Sequence, residues 1–195
     1  YLLLRKKLQK FGYVFKSTSD TEVLLAGCLV WGVENTLKKL EGMFTFAFYN
    51  IKENSLWLAR DPMGIKPLYY SILGHKIVFA SELSPLLSFN WVSKSLNKNS
   101  LFSYFRYGYI PTPFSIFKNI NKLNAGNFLF FKAGNHKICS YWEHDKVVKS
   151  KDKFNPGERN FDGYVDLIEE GLMRSVKSHM QADVPYGAFL SGGID

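Results

Sequence analysis

Hydrophobic and polar positions along the chain change period several times, and each change marks an element. Residues 2–10 (Leu-Leu-Leu-Arg-Lys-Lys-Leu-Gln-Lys) read as a helix stopped by Gly12, and 13–15 as a short strand. Ser19, with Glu22 three residues later, has capping-box spacing; it predicts a helix over 20–31, ended by Gly32, and a second short helix over 34–40. The period then falls to two. In 43–50, Phe44, Phe46 and Phe48 share one face and Met43, Thr45, Ala47 and Tyr49 the other, which predicts a strand covered on both sides. Lys52-Glu53-Asn54 makes the turn to a hairpin partner over 55–59.

Further strands are expected over 68–72 and 76–80, joined at Gly74-His75, then short helices over 81–87 and 97–105. After a loop marked by Pro111 and Pro113, residues 128–132 and 137–142 read as a last hairpin around Ala133-Gly134-Asn135. Residues 143–160 carry four lysines and Pro156-Gly157 with few apolar positions, the profile of a linker. A helix over 161–180 follows, with Tyr164, Leu167, Ile168, Leu172, Val176 and Met180 on one stripe. A compact apolar strand over 186–190 runs into Ser191-Gly192-Gly193-Ile194-Asp195.

Composition narrows the class. The 195 residues are 46% apolar and 22% charged, a folded rather than a disordered balance, and 15 Gly with two Cys exclude collagenous and disulfide-scaffold chains. No apolar run approaches the ~20 residues of a membrane helix, so no membrane partner is expected. Cys28 and Cys139 lie in apolar surroundings, which points to a reducing, cytoplasmic setting. The first residue is Tyr1 and the last, Asp195, falls inside a glycine turn, so the expectation is a piece of a longer protein.

The net charge is +8, and between Trp91 and Ser150 nine Lys or Arg face only Glu143 and Asp145. Aromatics are interleaved there (Tyr104, Phe105, Tyr107, Tyr109, Phe128, Phe130, Phe131), a combination also used to bind single-stranded nucleic acid. Alternating aromatics in strands usually pack a core while lysines solvate the other face, so no nucleic-acid partner is expected.

The sharpest chemical signal is Ser191-Gly192-Gly193-Ile194-Asp195. Two glycines after a strand allow a tight turn that points bare N–H groups at an anion; Ser191 adds a hydroxyl and Asp195 a carboxylate for a metal or for the loop. Five residues alone read more readily as a plain Gly-Gly turn, and the longer Gly-x-x-x-x-Gly-Lys loop is absent. The four histidines (His75, His136, His144, His179) have no metal-ligand spacing, so no metal site is assigned. Cys28, in an apolar helix, reads as a buried structural thiol. Asp61-Pro62-Met63-Gly64 reads as a turn that shapes the domain.

Asp183-Val184-Pro185-Tyr186-Gly187 before Ser191-Gly192-Gly193-Ile194-Asp195 resembles the approach to the pyrophosphate loop of glutamine-dependent asparagine synthetases. Three earlier blocks resemble the distal part of a class II glutaminase domain: Ser19-Asp20-Thr21-Glu22-Val23-Leu24, Leu40-Glu41-Gly42-Met43-Phe44, and Arg60-Asp61-Pro62-Met63-Gly64-Ile65-Lys66-Pro67. Phe79-Ala80-Ser81-Glu82 and Arg106-Tyr107-Gly108-Tyr109-Ile110-Pro111 continue in the family's order.

The resemblance implies an α+β fold. Residues 1–142 would be most of an Ntn-hydrolase glutaminase (αββα, antiparallel sheets), 143–160 a linker, and 161–195 the start of an α/β PP-loop nucleotide-binding domain. It implies ATP and Mg²⁺ as cofactors and glutamine, aspartate and ATP as substrates, with a homodimeric full-length protein. Asp20 matches the carboxylate that binds the glutamine α-amino group; Leu190, Ser191, Gly192, Gly193 and Asp195 match the ATP-binding loop. The nucleophilic Cys, the substrate-binding Arg and the Asn-Gly oxyanion motif fall before Tyr1 in the family, so no catalytic residue is assigned here. The 195-residue piece alone is expected not to hydrolyse glutamine. An amidotransferase acting on another carboxylate acceptor and a non-catalytic scaffold are the alternatives.

Overall fold

Three helices open the chain: α1 (Leu2–Lys10), α2 (Asp20–Trp31) and α3 (Val33–Leu37). The computed structural model describes residues 1–144, 161–180 and 184–193. Leu8 of α1 packs against Val23 and Ala26 of α2, with Leu4, Tyr13, Phe15 and Trp31 around them. The strand expected at 13–15 does not form. Its Tyr13 and Phe15 rings lie 4.8 Å apart against this helical cluster, and no strand runs beside them to supply a ladder. Gly27 lets α3 approach closely, since a Cβ there would sit 2.9 Å from Thr36 Cγ2.

Among the described residues, seven strands follow in two antiparallel sheets. The first has the order β1 (Thr45–Asn50), β2 (Ser55–Arg60), β6 (Asn127–Lys132), β7 (Asn135–Ser140). The second has the order β4 (Lys76–Ala80), β3 (Tyr69–Leu73), β5 (Asn121–Lys122). Side-chain alternation builds the layers. Trp57, Ala59, Phe128 and Phe130 turn from the first sheet toward α2 and α3, joined by Phe44, Phe46 and Phe48. Leu56, Leu58, Leu129 and Phe131 turn the other way, onto Leu68, Tyr70 and Leu123 of the second sheet. That sheet's outer face, with Val78, is closed by Leu86 of α4 (Leu83–Leu86) together with Val92 and Ile120. The layers are therefore helix, sheet, sheet, helix. Each fully buried leucine here contributes about 1.5–3 kcal/mol.

One expectation about β1 needs correcting. Its phenylalanine face is covered, but Ala47 and Tyr49 on the other face are exposed, Tyr49 at 54%. β1 is an edge strand, and the opposing sheet has only three strands with which to cover the inner face of four. Helix α5 (Lys98–Tyr107) is capped by Asn97 and ended by Gly108 at φ 76°, and buries only Ser100.

The chain divides into two compact units, Tyr1–Val147 and Val148–Asp195. The linker expected over 143–160 falls, from residue 145 onward, outside the described residues. In the second unit, α6 (Phe161–His179) forms as expected but buries none of its residues; Ile168, Leu172 and Val176 are exposed. The strand expected over 186–190 is not formed. The segment has no regular secondary structure and its side chains are exposed (Leu190 at 98%), and no ladder partner lies beside it among the described residues.

Candidate functional site

The first candidate group sits at the start of α2. Ser19 is the N-cap, with extended backbone, and its hydroxyl accepts from Thr21 N at 3.1 Å. The capping box is not closed: Glu22 turns away from Ser19 and accepts from Lys16 N (2.8 Å), Ser17 N (2.7 Å) and the Ser17 hydroxyl (2.6 Å). The Ser19 amide is taken instead by Ser17 Oγ at 3.2 Å. Local hydrogen bonds from the preceding loop win over the reciprocal box. Because Ser19 does the capping, the Asp20 carboxylate is not consumed by the helix. Its one hydrogen bond is from Thr21 Oγ1, long at 3.4 Å, and the residue is exposed at the positive end of α2. Asp20 is thus free to take a cationic group from solution.

A second cluster ties the two sheets together. Asp61 is fully buried; its Oδ1 accepts from Met63 N (3.1 Å) and Ile65 N (3.0 Å), and its Oδ2 from Lys66 N (2.9 Å). Its own amide donates to Phe44 O (2.9 Å) and its carbonyl accepts from Gly126 N (2.9 Å). Beside it the Arg60 guanidinium donates to the carbonyls of Lys66 (2.8 Å), Leu123 (2.7 Å) and Gly64 (2.6 Å). Burial disfavours the charged guanidinium, and the Asp61 carboxylate and Tyr69 offset part of that. The Tyr141 hydroxyl donates to Arg60 O at 2.7 Å, and burial, with the Asp61 charge, pushes its ionisation up. All three Arg60 guanidinium nitrogens, the Asp61 amide and the Tyr141 hydroxyl donate to backbone carbonyls. The 61–64 segment is a structural turn, as its sequence suggests, and its reach to residues 44, 126 and 141 was not visible there.

The nucleotide-loop candidates lie in the second unit. Leu190, Ser191, Gly192 and Gly193 are all exposed, and Gly193 N donates to Ser191 Oγ at 3.3 Å. Asp195 falls outside the described residues. A serine hydroxyl beside two glycine amides, of which Gly193 N already bonds to that hydroxyl oxygen, is a donor set that suits phosphate oxygens. Among the described residues no group of three His, Cys, Asp or Glu side chains could hold a metal ion.

The cysteines separate clearly. Cys28 is 6% exposed, packed against Val33, Leu37 and Phe128, and burial pushes its thiol up to about 11, with Thr36 pulling slightly the other way. A folded value above the ordinary 9.0 means that this burial contributes stability in full below pH 9, lost as pH rises toward 11. At pH 8 the thiolate fraction is about one in a thousand, far too small for a resting nucleophile. A maleimide at pH 8 is therefore expected to label the half-buried Cys139 and to spare Cys28 until denaturant is added. Mass spectrometry of the two cysteine peptides checks this, and equal labelling rates would contradict it.

The aromatics of the basic stretch divide in two. Phe128, Phe130 and Phe131 belong to the core, whereas Tyr104, Phe105, Tyr107 and Tyr109 are exposed on and after α5. No helix among the described residues is long and apolar enough to cross a membrane.

Comparison with known proteins accounts for both units. A family model described as a glutamine amidotransferase domain matches residues 1–142, and one described as asparagine synthase matches residues 167–195. Glutamine-hydrolyzing asparagine synthetase 1 of Bacillus subtilis is 36% identical over 199 residues, covering 100% of this chain and 29% of the relative. A putative glutamine-hydrolyzing asparagine synthetase 2 of Methanocaldococcus jannaschii is 36% identical over 194 residues, covering 96% and 35%. More distantly, an amidase named chry2 from Gibberella zeae is 29% identical, covering 94% and 26%. The chain spans about a third or less of the length of these curated relatives. Among solved structures, a glutamine phosphoribosylpyrophosphate amidotransferase from B. subtilis superimposes with a TM-score of 0.49 at 21% identity, covering 73% of this chain and 27% of that one. With its model matched over residues 1–142 of 195, the chain belongs to the glutamine amidotransferase domain family.

Proposed function

We propose that the full-length protein converts aspartate to asparagine, taking nitrogen from glutamine and energy from ATP. The observation that carries this reading is the tandem order within one chain: the glutamine amidotransferase match over 1–142, then the asparagine synthase match over 167–195. In this reading residues 1–142 are glutaminase, 143–160 a linker, and 161–195 the beginning of the ATP-using domain. The exposed Asp20 carboxylate takes the α-ammonium group of glutamine and so orients its side-chain amide for attack. Hydrolysis of that amide yields glutamate and ammonia.

In the second half-reaction the β-carboxylate of aspartate attacks the α-phosphorus of ATP and pyrophosphate leaves. Ammonia then adds to the activated carbonyl, AMP departs and the surplus proton goes to solvent. Ser191, Gly192 and Gly193 supply hydroxyl and amide donors to phosphate oxygens, with Leu190 and Asp195 at the ends of that loop. A divalent metal on the phosphates would screen their charge. The 195-residue piece alone is expected to catalyse neither half.

The test uses the full-length protein with amide-¹⁵N glutamine, ATP and aspartate, read by mass spectrometry. Labelled asparagine formed in step with AMP and pyrophosphate supports the reading. Labelled amide on a different acid from a panel of carboxylates would establish another acceptor, a possibility that the relative named as an amidase keeps open. No amide and no AMP with any acid would leave a scaffold.

A further inference from the structure

Ser17 is the hub of the loop that leads into α2. Its amide and hydroxyl both donate to Glu22 Oε2 (2.7 and 2.6 Å), and its Oγ accepts from Ser19 N at 3.2 Å. Its carbonyl accepts from Arg5 Nη2 at 2.6 Å, and the Arg5 guanidinium also lies 4.1 Å from the Phe15 ring centroid. Glu22 Oε1 takes the Lys16 amide at 2.8 Å. Residues 15–19 are thus tied to α1 through Arg5 and to α2 through Glu22. The Ser17 and Lys16 donors also hold the Glu22 carboxyl below its usual range, so the bonds favour the ionised form.

Asp20 follows this loop directly and has almost no restraint of its own, only the 3.4 Å bond from Thr21. Lys16, Ser17, Ser19 and Asp20 are exposed, so water can replace Glu22 on the freed amides, and losing it costs little stability. What water cannot replace is the fixed path of the backbone into Ser19 and Asp20.

We infer that Glu22 is a positioning residue for glutamine binding: by holding Ser17, and through it Ser19, it sets where the Asp20 carboxylate projects. This rests on the proposed role of Asp20. Glu22→Gln is a sharp probe, because its amide nitrogen would confront either Lys16 N–H or Ser17 N–H with another donor. Ser17→Ala removes the hydroxyl's bonds to Glu22 and from the Ser19 amide while leaving the Ser17 amide on Glu22.

The experiment is a double-mutant cycle in the full-length protein, reading glutaminase KM and kcat for wild type, Glu22→Gln, Asp20→Asn and the pair. The expected result is a roughly tenfold rise in KM for Glu22→Gln with kcat within about twofold. The thermal midpoint should hardly move, and Ser17→Ala should raise KM in the same direction. In the Asp20→Asn background, Glu22→Gln should add nothing. An effect that persists in full in that background, or a loss of kcat at unchanged KM, would overturn the positioning role while leaving Asp20 in place. An unchanged KM in Glu22→Gln would overturn it equally. If Asp20→Asn itself leaves KM unchanged, the reading of Asp20 fails, and the role of Glu22 fails with it.

Discussion

Asp61→Ala is expected to lower the unfolding free energy of the full-length protein by about 3–5 kcal/mol, the cost of stripping a buried, hydrogen-bonded charge from its partners. The carboxylate is fully buried and serves the amides of Met63, Ile65 and Lys66. Alanine leaves all three donors without an acceptor in a site too enclosed for water to enter freely. It also leaves the neighbouring Arg60 guanidinium without its nearest counter-charge. Asp61→Asn keeps one oxygen for Met63 and Ile65 but presents an amide nitrogen to Lys66 N–H, so a smaller loss of about 1–3 kcal/mol is expected. Urea denaturation of the three proteins checks the order. An alanine variant within 1 kcal/mol of wild type would mean that the turn does not depend on this carboxylate.

Asp20→Asn is expected to raise the KM for glutamine by about 30- to 1000-fold, corresponding to about 2–4 kcal/mol for losing a carboxylate–ammonium contact. The argument is geometric. Ser19 caps α2, so Asp20 can be changed without exposing the helix start, and stability should be nearly untouched. Asparagine asks for the same space and keeps a hydrogen-bond acceptor, so the effect isolates the charge. With ammonia supplied directly in place of glutamine, asparagine formation should continue, because that half-reaction does not use Asp20. Steady-state kinetics with the two nitrogen sources separate the outcomes. Equal loss with both would mean that Asp20 serves the fold or the synthetase half instead.

Much of the fold is legible in residue order because its signals are local. The alternation of Phe44, Phe46 and Phe48 places β1, and Ala133-Gly134 places the β6–β7 turn, where both residues take positive φ. Non-local pairing is what sequence periodicity cannot supply. Residues 13–15 and 186–190 carry strand-like apolar runs but have no ladder partner among the described residues, whereas the polar pair Asn121–Lys122 becomes β5 because Tyr69 and Tyr70 lie beside it. The inner face of β1 looked buried because its residues are apolar, yet cover depends on how many strands lie opposite. At the candidate site, the proposed role of Asp20 comes only from resemblance to a family. Glu22 was legible as a helix-start residue but was assigned the wrong partner, since Ser17 competes for it at closer range.

The Arg60–Asp61 cluster also bears on motion. Loop amides ordinarily exchange with solvent quickly, because opening a loop exposes little else. Here the Met63, Ile65 and Lys66 amides bond to a carboxylate whose backbone is bonded to Phe44 and Gly126, on the approaches to two different strands. Freeing any one of them means disturbing several strand ends at once. Hydrogen–deuterium exchange should therefore show these three amides protected nearly as long as those of β2 and β6. The hairpin tips at 52–54 and 74–75, at the far ends of their strands, should exchange first. The stack of sheets is thus expected to open from its hairpin tips before its Arg60–Asp61 end.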